Sequence, residues 1–119
     1  MYKGIIISES LNEPSFINQF KVYRVEISKE EENIPNENRK ARWHLYWVKA
    51  KAKQIKQLSK EIKQGWYTHF WNSKREMKVI FKDKIFNMQF DNKDSWKDAV
   101  EYGKSLGIPE YQLDFPVDG

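Results

Sequence analysis

The chain of 119 residues contains no cysteine. This absence excludes disulfide bonds, thiolate nucleophiles and metal sites held by cysteine, and it is typical of a protein in a reducing cytosol. Glycine is also scarce, and the five glycines do not form the glycine-rich patterns that bind nucleotide phosphates. We therefore expect a domain that is stabilised by its hydrophobic core alone.

Long apolar segments are missing too. The N-terminal run that contains Ile5-Ile6-Ile7 is too short for a signal peptide or a membrane span, and no later run is longer. We therefore predict a cytoplasmic protein that is not bound to a membrane. His44 and His69 are the only histidines, and no carboxylates at ligand spacing accompany them, so we predict no metal site and no cofactor.

Aromatic residues and positive charge are what the chain has in excess. Aromatic residues make up 15% of the chain, so a few large side chains should supply most of the buried surface. The net charge is +4, but nine basic residues and one acid lie between Arg39 and Gln64. That segment carries nine minus one, or +8, and the remainder carries −4. Such asymmetry favours a polyanionic partner.

Hydrophobic periodicity predicts the order strand, short helix, strand, strand, helix, three strands, helix. We interpret the chain, residues 1–119, as one α+β domain with a single mostly antiparallel sheet of about six strands and helices packed on one face. The first six elements follow the split βαβ order of a ferredoxin-like fold, with an added C-terminal hairpin and helix. Residues 29–40 are rich in glutamate and asparagine and are predicted to form a mobile polar loop.

The central unit runs from Trp43 to Asn72 and holds four of the five tryptophans. Its helix is predicted over 53–64, where Ile55, Leu58 and Ile62 form one apolar stripe. A second helix should begin near Ser95 and end before Gly107, because glycine followed by an apolar residue and proline is a stop signal.

Beyond that stop, the tail alternates in polarity. Leu113, Phe115 and Val117 recur at every second position, which predicts that the tail packs against the body of the domain.

Several stretches resemble a family of small prokaryotic proteins of unknown function. They are Trp66-Tyr67-Thr68-His69-Phe70-Trp71, the run from Val79 to Phe86, the C-terminal segment from Trp96 to Pro116, and the shorter matches Lys3-Gly4-Ile5-Ile6 and Glu9-Ser10-Leu11. The likeness covers most of the chain apart from residues 29–40. It implies that the compact body is a recurring unit, and it implies no activity, cofactor or catalytic residue.

The aromatic face of the sheet is the leading candidate for a binding surface. If helices cover only one face, large aromatic side chains on the other remain exposed, and such patches usually mark a contact site. We therefore interpret the protein as a non-catalytic domain that binds a partner or ligand, or forms a homodimer, through that face. The candidate binding residues are Tyr67, His69, Trp71, His44 and Tyr46.

Two alternatives stay open. The first is a nucleic-acid-binding module that uses the basic segment between residues 39 and 63. Its candidate residues are Arg42, Lys53, Lys56, Lys60 and Lys63. The second is an enzyme in which His69 and Tyr67 transfer protons, although a packed histidine is the more common explanation for this pattern.

Overall fold

One six-stranded sheet forms the centre of the protein. The computed structural model describes residues 1–35 and 37–115. The strands are β1 (Tyr2–Ile7), β2 (Lys21–Ile27), β3 (Glu32–Ile34), β4 (Arg39–Ala41), β5 (His44–Ala50), β6 (Tyr67–Trp71), β7 (Glu76–Phe81) and β8 (Lys84–Gln89). The α-helices are α1 (Ala52–Glu61) and α2 (Lys97–Ser105), and short 3₁₀ segments occupy Ser8–Ser10, Pro14–Gln19, Lys93–Trp96 and Glu110–Gln112.

The strand order is β2-β5-β1-β6-β7-β8, and every neighbouring pair is antiparallel. These findings confirm the predicted α+β class, the six-stranded sheet and its antiparallel character. The ferredoxin-like arrangement is not confirmed. The connection from β1 to β2 holds two short 3₁₀ segments where that fold has a full α-helix.

The helices lie on both faces of the sheet. On what we call the first face, side chains such as Val48 and Phe70 pack with Ile55 of α1. On the second face, Val79 packs with Ala99 of α2 in a separate core. The prediction that helices cover a single face is therefore wrong.

The reason lies in strands that are apolar on both sides. Val79, Ile80 and Phe81 are consecutive in β7 and fully buried. Because successive side chains in a strand point to opposite faces, Ile80 faces α1 while its two neighbours face α2. A strand of this kind requires cover on both sides.

The predicted loop at 29–40 contains secondary structure. Strands β3 and β4 form a two-stranded hairpin, and Ile34 is only 3% exposed and belongs to the core of the first face. The Ser28 hydroxyl accepts a hydrogen bond of 2.8 Å from the Trp43 backbone N–H, which joins the base of the hairpin to the start of β5. The mobility of this segment stays a prediction.

The C-terminal segment packs as predicted over the part that the structure describes. Gly107 has a φ of +86°, and the Ile108 N–H donates to the Gly103 carbonyl at 3.2 Å, which ends α2 as the sequence indicated. Leu113 and Phe115 are buried against the second face, and Val117 lies outside the described residues. Over residues 1–35 and 37–115, no helix has the length and apolar character to cross a membrane.

Candidate binding cleft on the second face of the sheet

Helix α2 covers only the half of the second face that β6, β7 and β8 form. Within the described ranges, no residue of β2 or β5 belongs to the core beneath α2. An open cleft of about 460 Å³ lies over Ile5, Ile7 and Leu45 of the uncovered half and extends to Tyr67 and His69 of β6. Its rim combines the β3–β4 hairpin, through Glu32 and Pro35, with residues of the C-terminal segment.

Two tryptophans line the cleft. The rings of Trp43 and Trp66 contact each other, with centroids 5.1 Å apart. The indole nitrogens of both are buried, and neither has a hydrogen-bond partner among the residues that the structure describes. Unpaired buried donors are rare in native proteins because each costs about 1–3 kcal/mol. The wall of the cleft that these two rings form is aromatic and apolar.

A row of three lysines crosses the same uncovered half. Lys49 of β5 is directly opposite Lys21 of β2 on one side and Lys3 of β1 on the other. Directly opposite residues share a face, with Cβ atoms about 5 Å apart, so the three positive charges repel one another. None of the three forms an ion pair with a described carboxylate. This lysine row is therefore a local excess of positive charge among the described residues, and Lys49 Nζ lies over the Tyr23 ring, 5.8 Å from its centroid.

The cleft and the lysine row adjoin. Lys3 and Ile5 are two residues apart on β1, so they point to the same face about 7 Å from each other. Trp47 pairs with Ile5 across the strands and carries the Arg24 guanidinium over its ring at 4.6 Å. Apolar, aromatic and cationic groups thus lie together on one side of β1, β5 and β2.

The predicted residues Tyr67, His69 and Trp71 share the second face, but Trp71 and His69 are buried there. Trp71 is only 3% exposed, and His69 is buried between Trp71 and Phe115, with ring centroids at 5.4 and 5.7 Å. Phe115 from the C-terminal segment covers His69 and Tyr67, because its ring packs against both. The prediction of an exposed aromatic surface at Trp71 is therefore wrong, whereas Tyr67 and His69 still line the cleft.

Tyr67 is held in a structural role. Its hydroxyl donates a hydrogen bond to the Gln112 carbonyl. Burial, with a smaller contribution from Asp114, raises the pKa of Tyr67 to about 12. A phenol with that pKa stays protonated near neutral pH and does not act as a base there, and its proton is already donated to a backbone carbonyl, so this arrangement does not favour the predicted proton transfer with His69.

His44 and Tyr46 lie on the opposite side of the sheet. Their positions on β5 alternate with Leu45 and Trp47, and Tyr46 packs against the core of the first face. His44 contacts Glu9, with 2.8 Å between Nδ1 and Oε2, and its backbone N–H donates to Oε1 of the same carboxylate. The predicted five-residue surface is therefore split between two faces, and the two histidines do not meet.

The basic residues predicted to contact nucleic acid are dispersed. Lys60 pairs with Asp83 at 3.0 Å, and Lys63 pairs with Glu37 at 3.3 Å. The pKa of Glu37 is lowered by its hydrogen bonds to Lys63 and Arg39. The other predicted residues, Arg42, Lys53 and Lys56, are exposed. Because α1 covers the first face, its lysines point away from the cleft.

Sequence reasoning missed both the cleft and the lysine row. Lys3, Lys21 and Lys49 are distant in the chain, and only the strand register places them side by side. In residues 1–35 and 37–115, no group of three or more histidine, aspartate or glutamate side chains could hold a metal ion.

Comparison with family models, with curated proteins and with solved structures finds no match to this chain. The resemblance to a family of small prokaryotic proteins therefore stays a prediction.

Proposed function

We propose that the protein is a non-catalytic binding domain that takes a small, largely apolar ligand with a negatively charged group. The open cleft of about 460 Å³ on the uncovered half of the second face carries this proposal. Its volume lies within the range of small-molecule sites, which are mostly apolar with a few polar groups at defined positions. Of the five residues predicted from the sequence for an aromatic binding face, Tyr67 and His69 line this cleft.

The charge of the ligand follows from the lysine row. Lys3, Lys21 and Lys49 repel one another, and a carboxylate or phosphate group among them would relieve that repulsion. Lys3 lies about 7 Å from the cleft floor at Ile5, so one molecule of moderate length can occupy both. A cytoplasmic location is part of this proposal, and the lack of cysteine supports it.

The test compares decanoate with decanol, which share a ten-carbon apolar chain and differ in charge. Trp43 and Trp66 line the cleft, so tryptophan fluorescence should report binding. We expect decanoate to bind more tightly than decanol. The Lys49→Gln variant should lower the affinity for decanoate by about fivefold, since an exposed charge pair contributes up to about 1 kcal/mol. Its affinity for decanol should be unchanged.

The variant Ile7→Asp places a carboxylate on the cleft floor and should abolish binding of both compounds. Lys97→Gln is the matched control, because Lys97 is exposed on α2, away from the cleft. If neither compound binds, or if the Ile7→Asp protein binds both as well as wild type, the proposal is wrong.

A second candidate is single-stranded nucleic acid on the same surface. The specific observation in its favour is the lysine row beside Trp47, because strand lysines near an aromatic ring can hold phosphates while a base stacks. The test is binding to a fluorescent oligonucleotide at several salt concentrations. Affinity should fall steeply with salt and should be lost in a Lys3→Gln/Lys49→Gln variant. If neither salt nor the double substitution changes the affinity for the oligonucleotide, this second candidate function is wrong.

A further inference from the structure

The two edge strands of the sheet, β8 and β2, differ in how much of each strand is exposed. At β8, the 3₁₀ segment Lys93–Trp96 covers the end of the strand, because the Trp96 indole N–H donates to the Gln89 carbonyl and the Gln89 N–H donates to the Ser95 hydroxyl. At β2, all seven residues are exposed. From Arg24 to Ile27 the strand pairs with β5, and no backbone hydrogen bond joins these residues to any other described part of the chain.

The free edge also carries apolar side chains. Val22, Val25 and Ile27 are 37%, 51% and 55% exposed. An exposed strand with unpaired backbone groups and apolar side chains is a template for another strand, and natural proteins usually protect such edges. The bulge between Val22 and Arg24 offers limited protection, since it leaves the run Arg24-Val25-Glu26-Ile27 in regular register with β5.

The charge pattern of β2 is self-complementary. Arg24 and Glu26 flank Val25 symmetrically, so an antiparallel copy of β2 centred on Val25 places Arg24 of each copy opposite Glu26 of the other. Registers centred on Arg24 or on Glu26 would instead place like charges opposite each other, which is unfavourable. The centred register also brings the two Val25 side chains together.

We propose that two copies of this chain associate through their β2 edges, antiparallel and centred on Val25, and thereby extend the sheet across both molecules. The association is isologous, as a two-fold axis requires. Each Arg24 already donates to Glu26 of its own chain, so the dimer joins four charges in one network. An interface of one strand per copy is small, and we expect it to form in the micromolar range. This inference does not depend on the proposed ligand.

The absence of cysteine makes the register directly testable by cross-linking. In the proposed dimer the two Val25 Cα atoms are about 4.5 or 5.5 Å apart, which suits a disulfide. We expect the Val25→Cys variant to form a covalent dimer under mild oxidation. Ile27→Cys is the matched control, because it is similarly exposed but its two copies would be roughly 14 Å apart. The proposed register is wrong if the Val25→Cys variant forms no covalent dimer, or if the Ile27→Cys variant forms one as readily.

Charge reversal provides an independent test, with sedimentation measured over a range of protein concentrations. The single variants Arg24→Glu and Glu26→Arg should each weaken association about tenfold, because each creates like-charge pairs at two places. The double variant Arg24→Glu/Glu26→Arg should restore wild-type association. Both residues are exposed, so circular dichroism should show an unchanged fold. The proposal is refuted if the wild-type protein stays monomeric up to millimolar concentration. It is also refuted if the double variant associates no more tightly than the single variants.

Discussion

Gly4 of β1 should be one of the most sensitive positions in the chain. It lies directly opposite Phe70 of β6, whose side chain is fully buried in the core of the first face. A Cβ atom at Gly4 would lie 2.5 Å from the Phe70 ring. Carbon atoms in contact are about 3.5–4.0 Å apart, so the ring would have to move by roughly 1 Å. Because Phe70 is fully buried, that movement would displace its neighbours in the core.

The expected loss can be estimated from two opposing effects. Overpacking a core of this kind costs about 1–3 kcal/mol, and the clash with a whole aromatic ring places Gly4→Ala at the upper end. Replacing glycine also stiffens the unfolded chain, which offsets about 0.4–1 kcal/mol. We therefore expect the Gly4→Ala variant to lose about 2 kcal/mol of unfolding free energy and about 8 °C in Tm.

The assay is urea unfolding followed by tryptophan fluorescence, with wild type and Gly107→Ala measured in parallel. Gly107 has a φ of +86°, and no described residue beyond its two chain neighbours has an atom within 4 Å of the position that a Cβ would take there, so its substitution adds backbone strain without a clash. That control should lose about 1 kcal/mol. If Gly4→Ala lies within about 0.5 kcal/mol of wild type, Phe70 does not pack over Gly4 as described.

Three further predictions concern the residues that pack on the second face of the sheet and the β3–β4 hairpin. Burial raises the pKa of Tyr67 from 10.0 to about 12, so the folded state favours the protonated phenol. Its stabilising contribution is complete below pH 10 and falls by about 1.4 kcal/mol per pH unit between pH 10 and 12. Urea unfolding of Tyr67→Phe should lack this slope, and parallel curves for variant and wild type would contradict it. The Phe115→Ala variant should lose about 3–5 kcal/mol of unfolding free energy in the same assay, because Phe115 is fully buried against Tyr67, His69 and Trp96. A loss below about 1 kcal/mol would mean that the C-terminal segment does not cover the second face. Ile34→Ala should speed amide hydrogen exchange in the β3–β4 hairpin while β6 and β7 stay protected, and unchanged exchange in the hairpin would show that Ile34 does not anchor it.

Local patterns predicted the elements well where one strong signal was present. Ile55, Leu58 and Ile62 at helical spacing indicated α1, although the helix ends at Glu61 and not at the predicted residue 64, and Gly107 followed by Ile108 indicated the end of α2. The hairpin of β7 and β8 followed from alternation on either side of a short polar turn. These signals are readable because helix and strand periodicity depend on residues that are close in the chain.

The face of the sheet on which each helix packs was not predicted correctly from these local patterns. Alternation indicates which residues share a face, but it does not indicate what covers that face. The consecutive apolar residues Ile5-Ile6-Ile7 and Val79-Ile80-Phe81 were the signal that both faces would need cover. Phe115 then covers Tyr67 and His69, through contacts between residues more than 40 positions apart in the chain.

The sequence by itself determined the number of long strands, their alternation and the two helices, because these depend on short-range periodicity. The tertiary structure alone decided the candidate site. Lys3, Lys21 and Lys49 form a row only because β1, β5 and β2 pair in one particular register, and the cleft exists only because α2 covers half of a face. Register and cover depend on long-range packing, in which a shift of one residue moves every side chain to the other face.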